Sequence, residues 1–132
     1  MIELHGWLSI RTTYENEDIF PSNELESRRQ RVEEIIRNNA CGIRLEYING
    51  EPFISSMFCS NHHTQEVDEI IETYKMISKH AIGSYGMIYL WDDEDKQYYN
   101  DFQVYVFKRG TCSFRLDKDL SPCVSEIEDK II

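Results

Sequence analysis

The densest run of reactive side chains in this sequence lies between Trp91 and Asp101. Trp91, Asp92, Asp93, Glu94, Asp95, Tyr98, Tyr99 and Asp101 set three aromatics among five carboxylates, with Lys96 as the one base. Carboxylates this close could bind a cation, but the run lacks the spacing and the turn glycine of a calcium-binding loop. His62-His63 is the other candidate for metal ligation. Adjacent residues in an extended segment point to opposite sides, so this pair does not converge by itself. No metal site is expected at either place. The chemistry that the 91–101 run suits is recognition. Tyr and Trp bury large areas at low entropic cost, and clustered carboxylates complement the lysines and arginines of a basic partner. The same composition also describes a solvated loop between two strands.

Nucleophilic catalysis has less to stand on. Cys41, Cys59, Cys112 and Cys123 form no CxxC pair, and their spacing fits no common zinc pattern. A thiol nucleophile such as Cys59 or Cys112 needs a histidine beside it in space, which four cysteines and four histidines neither establish nor exclude. There is no GxSxG elbow, no GxGxxG turn and no phosphate-binding P-loop. No catalytic residue is therefore assigned. The alternatives to a binding protein are a small cysteine-dependent enzyme and a small-molecule-binding domain with a tyrosine-rich pocket.

Charge narrows the partners. With 24 acids against 14 lysines and arginines, the formal net charge is −10. That argues against nucleic acid, whose binding depends on basic patches, and favours a basic protein partner. No stretch approaches the roughly 18 apolar residues of a membrane span, and the N-terminus lacks the pattern of a secretory signal. A cytosolic protein without membrane association is expected, as a monomer or weak homodimer.

The elements that must position these residues follow from periodicity. Ile2, Leu4, Leu8 and Ile10 alternate with Glu3, His5, Trp7, Ser9 and Arg11, the period of a half-buried strand, and Gly6 interrupts the apolar face as a site of close approach. Residues 16 to 23 read as a loop. A helix capped by Ser22 or Asn23 runs to about Asn39, with Leu25, Val32, Ile35 and Ile36 inward. Asn49-Gly50 between two apolar runs marks a hairpin with a type I′ turn. A second helix to about Ala81 carries Val67, Ile70, Ile71, Tyr74 and Ile77 at helical spacing, and Gly83 is its expected stop. Tyr85 to Trp91, apolar on both faces, reads as an interior strand, and strands at Phe102 to Lys108 and Thr111 to Leu116 pair around Arg109-Gly110. The order βαββαβββ defines an α+β protein whose antiparallel or mixed sheet has five to six strands, with two helices on one face. Residues 1–132 are expected to form a single domain with an irregular tail over 117–132.

Four segments carry a family resemblance: HGWLSIR at 5 to 11, YGMIYLWDDED at 85 to 95, DFQVYVFKRG at 101 to 110 and LSPCVSEIED at 120 to 129. In this order they resemble the seventh immunity-protein family of bacterial polymorphic toxin systems. The motif positions are Gly6, Trp7, Arg11, Tyr85, Gly86, Asp92, Asp93, Glu94, Arg109, Gly110, Ser121, Pro122 and Cys123, and many of these can be structural. The resemblance implies tight binding to a cognate toxin domain, no catalytic residues and no cofactor. Charge adds that such a toxin would carry a basic surface, as a nuclease does. On this reading the loop after Trp91 supplies an anchor and electrostatic steering.

Overall fold

A computed structural model describes residues 1–13, 21–38 and 42–130. Its elements are β1 (Ile2–Ser9), α1 (Ser22–Asn38), β2 (Arg44–Ile48), β3 (Glu51–Ser60), α2 (Gln65–His80), β4 (Tyr85–Asp92), β5 (Gln103–Lys108), β6 (Thr111–Leu116) and the four-residue α3 (Cys123–Glu126). The six strands form one sheet in the order β2-β3-β1-β4-β5-β6, and every neighbouring pair is antiparallel. The chain is thus α+β in the expected order of elements. The loop expected from 16 to 23 lies mostly outside the described residues, as does Cys41.

The two tight hairpins obey the same rule. Asn49 and Gly50 sit at φ 54° and 79°, and Arg109 and Gly110 at φ 49° and 73°. Two successive positive φ angles match the right-handed twist of the flanking strands, and glycine takes the second without a Cβ penalty.

One face of the sheet is closed by the helices. Ile2, Leu4 and Leu8 of β1, Ile54 of β3, Ile88 and Leu90 of β4 and Phe107 of β5 form a core with Val32, Ile35 and Ile36 of α1 and Val67, Ile70, Tyr74 and Ile77 of α2. Burying each such aliphatic chain contributes about 1.5–3 kcal/mol, which makes this face the main source of stability. Gly6 makes room for α2, since a Cβ there would lie 2.9 Å from the Tyr74 hydroxyl oxygen and 3.1 Å from Ile88 Cγ1. The Tyr74 hydroxyl donates to Ser56 Oγ at 3.0 Å, and burial pushes its pKa up to about 12.

The helix ends differ from expectation. The Pro21 carbonyl accepts from the N–H groups of Glu24 and Leu25 at 3.0 and 3.2 Å, which makes Pro21 the cap in place of Ser22 or Asn23. Helix α2 closes with Ala81 donating to the Ile77 carbonyl, and the Gly83 N–H turns instead to the Arg11 carbonyl at 3.1 Å. That bond ties the chain after α2 to the end of β1.

Among the described residues, the second face of the sheet is covered at one end only. After β6 the chain folds back: the Asp117 N–H donates to the Phe102 carbonyl at 2.9 Å, the Phe102 N–H to Ser121 Oγ at 2.9 Å and the Cys123 N–H to the Asn100 carbonyl at 2.7 Å. This brings the buried Cys123 against Trp91 and Phe102, with Tyr89 packed at the margin, as a small second core.

Candidate partner-binding surface

The 91–101 segment leaves the end of β4 and enters β5, and the structure divides its eight candidate residues between packing and exposure. Trp91 is buried; its ring lies 5.8 Å from that of Phe102, and its Nε1 donates to the Tyr99 carbonyl at 2.9 Å. Asp92 is also buried and shapes the turn, one carboxylate oxygen accepting the Glu94 N–H at 3.0 Å and the other lying 3.2 Å from His63 Nδ1. Asp95 Oδ1 accepts the N–H groups of Gln97 and Tyr98, both at 2.8 Å, the pattern by which an aspartate starts a turn. Tyr98 packs on Phe114 of β6 with ring centroids 5.4 Å apart, and Asp101 is half-buried. Asp93, Glu94 and Tyr99 are exposed.

Asp93 and Glu94 belong to a local charge cluster. The Met1 amino group lies 2.6 Å from Asp93 Oδ1, and His62 Nδ1 lies 2.7 Å from Glu94 Oε1. His63 sits between two carboxylates, with Nε2 2.8 Å from Asp68 Oδ1 of α2. Desolvation works against its charge, but the hydrogen bonds with Asp68 and Asp92 outweigh that and hold its pKa above the ordinary histidine value. A raised pKa means that the protonated form is favoured by folding. The stabilisation is complete below about pH 6.5 and fades as pH rises through the raised value. With a half-exposed ring its size is under about 1 kcal/mol. We expect the melting temperature to fall slightly between pH 6 and 8.5 in the wild type and to lose that component in His63→Gln; identical profiles would show that the cluster does not titrate with folding.

Two of the thiols, Cys112 and Cys123, are placed unlike nucleophiles. Burial raises the pKa of Cys112, and raises that of Cys123 to about 11, opposite to the shift that activates cysteine. Among the described residues no three metal-ligating side chains converge, and no helix is long and apolar enough to cross a membrane.

A second surface lies on the part of the sheet's other face that, among the described residues, α3 and the tail leave open. Strand register sets Arg44, Ser55, Trp7, Met87, Val106 and Ser113 in one row across all six strands, with Met57, His5, Tyr89, Val104 and Arg115 in the next. Trp7 is 48% exposed, Met57 76% and Tyr85 43%. The Trp7 and Tyr85 rings meet edge to face at 6.2 Å, and the Arg11 guanidinium lies 5.6 Å from the centre of the Tyr85 ring. A concavity of about 730 Å³ lies between His5, Trp7, Arg44, Met57, Met87 and Tyr89. Sequence reasoning placed Trp7 on the side of β1 opposite the core but drew no surface from it. The signal was the alternation itself, which sends Trp7 away from Ile2, Leu4 and Leu8.

What these residues offer chemically is contact area and charge, the properties of a protein built for recognition. A comparison with known protein families matches residues 1–129 to the one described as Immunity protein 7, and this chain belongs to that family. It is therefore an immunity protein. No curated protein and no solved structure matches the chain.

Proposed function

We propose that this immunity protein neutralises one cognate toxin domain of a polymorphic toxin system by binding it directly and tightly in the cytosol, without cofactor or catalysis of its own. The family match over nearly the whole chain carries this reading. Charge gives it a direction. A net charge of −10 steers the protein toward a basic surface, and the phosphate-binding cleft of a nuclease is such a surface. Within the acidic loop the steering falls to Asp93 and Glu94, because Asp92 and Asp95 are committed to holding the turn and Trp91 to packing.

The test of function is growth. A cell expressing the toxin domain is expected to survive when this chain is co-expressed, and survival without a detectable complex would remove direct binding. The test of steering is kinetic. The Asp93→Asn, Glu94→Gln double variant is expected to lower the association rate roughly three- to ten-fold at low salt while leaving dissociation nearly unchanged, the behaviour of charges at an interface rim. An association rate equal to the wild type in 20 mM and in 300 mM salt would place the interface away from this loop.

A further inference from the structure

His62 and His63 are neighbours of one chemistry, and the structure gives them different tasks. A neutral imidazole has one donor nitrogen and one acceptor nitrogen, both are donors only in the cation, and an ionised carboxylate only accepts. His62 meets a single carboxylate, with Nδ1 2.7 Å from Glu94 Oε1. A neutral His62 keeps that bond by carrying its proton on Nδ1. His63 meets two carboxylates, with Nε2 2.8 Å from Asp68 Oδ1 and Nδ1 3.2 Å from Asp92 Oδ2. No tautomer of a neutral His63 serves both, because the nitrogen that lacks the proton turns its lone pair toward a carboxylate. Only the imidazolium donates on both sides.

The two carboxylates belong to different parts of the fold. Asp68 is exposed in the first turn of α2, whereas Asp92 is buried at the end of β4. The Asp92 Oδ1 accepts the Glu94 N–H at 3.0 Å, and its carbonyl accepts the Asp95 N–H at 3.2 Å, so Asp92 fixes the start of the acidic loop. His63 is its tie to α2. Among the described residues neither Asp92 nor Asp68 forms an ion pair with any other base. The remaining charges of the cluster are Asp93 and Glu94, which lie 2.6 and 3.7 Å from the Met1 amino group. Asp68, Asp92, Asp93 and Glu94 thus stand against that one amino group and the two imidazoles, a balance that favours a cation at His63.

We propose that His63, as an imidazolium bridging Asp68 and Asp92, latches the acidic loop to the first turn of α2, and that the latch opens when His63 loses its proton. The raised pKa of His63 sets the sense of the switch. The latch is closed below about pH 6.5 and is lost as the pH rises through the raised value. Asp93 and Glu94 follow Asp92 directly in the chain, so the latch governs how firmly the two steering acids are held. It is a property of the free protein and does not depend on the direct-binding reading.

The experiment is nuclear magnetic resonance on the free chain, reading the His63 ring nitrogens and the hydrogen exchange of the Glu94 and Asp95 amides at pH 6 and pH 9. Exchange is corrected for its intrinsic base catalysis, and melting temperatures are measured alongside. In the wild type we expect both His63 nitrogens to be protonated at pH 6 and the titration midpoint to lie above the ordinary histidine value. Protection of the two amides is expected to fall about two- to five-fold between pH 6 and pH 9, the range of a partly exposed ion pair. Asp68→Asn removes the exposed end of the bridge without touching the core, and is expected to lower the midpoint and bring protection at pH 6 down to the wild-type level at pH 9. His63→Arg, whose guanidinium stays charged throughout, is expected to keep protection at both pH values. A single ring proton on His63 at pH 6 would remove the bridge. Equal protection at both pH values in the wild type would show that His63 titrates without holding the loop, and an equal loss in the wild type and His63→Arg would assign the opening to another group. If His63→Arg does not fold, Asp68→Asn decides alone: wild-type protection at pH 6 in that variant overturns the latch.

Discussion

Gly86→Ala is expected to leave little folded protein at 37 °C. Gly86 lies in β4 opposite Leu8 of β1, and a Cβ built on it falls on the Trp7 carbonyl oxygen, 2.8 Å from Leu8 Cα and 2.9 Å from the Trp7 carbonyl carbon. These are backbone atoms of a central strand, and they cannot swing aside as a side-chain tip can. Relief requires β1 and β4 to part, and those strands join the two halves of the sheet. Overpacking usually costs about 1–3 kcal/mol, and with rigid neighbours the cost exceeds that range. Against a total stability of about 5–15 kcal/mol the loss is decisive. Urea denaturation measures it. Gly50→Ala is the useful control, because a Cβ there meets nothing within 4 Å and only the positive φ of 79° penalises it, by about 1–2 kcal/mol. Equal midpoints for the two variants would mean that β1 and β4 tolerate separation.

Trp91→Ala comes second, at about 3–5 kcal/mol. The ring fills the space between Phe102 and Cys123, so its removal opens a cavity under α3 and leaves the Tyr99 carbonyl without its indole donor. The expected signature is a large fall in the denaturation midpoint, with a toxin association rate that stays close to wild type under conditions where the variant is folded. Trp91→Phe, which keeps most of the volume, is expected to recover more than half of the stability and none of the hydrogen bond. A variant that stayed stable and lost binding would restore Trp91 to the anchor role that its neighbours in sequence first implied.

The contrast between Trp91 and Trp7 shows where sequence information ended. Both sit on the same face of the sheet, yet the tail returns over one and leaves the other open. Nothing local to either residue encodes that difference, because it depends on contacts between residues 100–102 and 117–124. Local patterns were sufficient where the cause is local. Asn49-Gly50 set its turn through backbone preference, and the 3.6-residue spacing of Val67, Ile70, Ile71, Tyr74 and Ile77 set the buried side of α2. The order of strands was not legible, since β1 pairs with β3 and β4, whose residues lie far along the chain. Among the acidic candidates, periodicity located the loop but could not say which carboxylates turn inward. The turn-forming role of Asp95 was readable in principle, from an aspartate two and three residues ahead of the N–H groups it accepts.

The central place of β1 sets a timetable for synthesis. β1 is the strand that both halves of the sheet need, and its second partner, β4, follows only at Tyr85. At about 5–20 residues per second, several seconds pass between the emergence of β1 and that of β4. Throughout that interval Ile2, Leu4 and Leu8 have no complete setting. A chain that stops before Tyr85 cannot assemble the row that runs from Arg44 through Trp7 to Ser113. Such a chain leaves β1 paired with β3 on one edge and without β4 on the other.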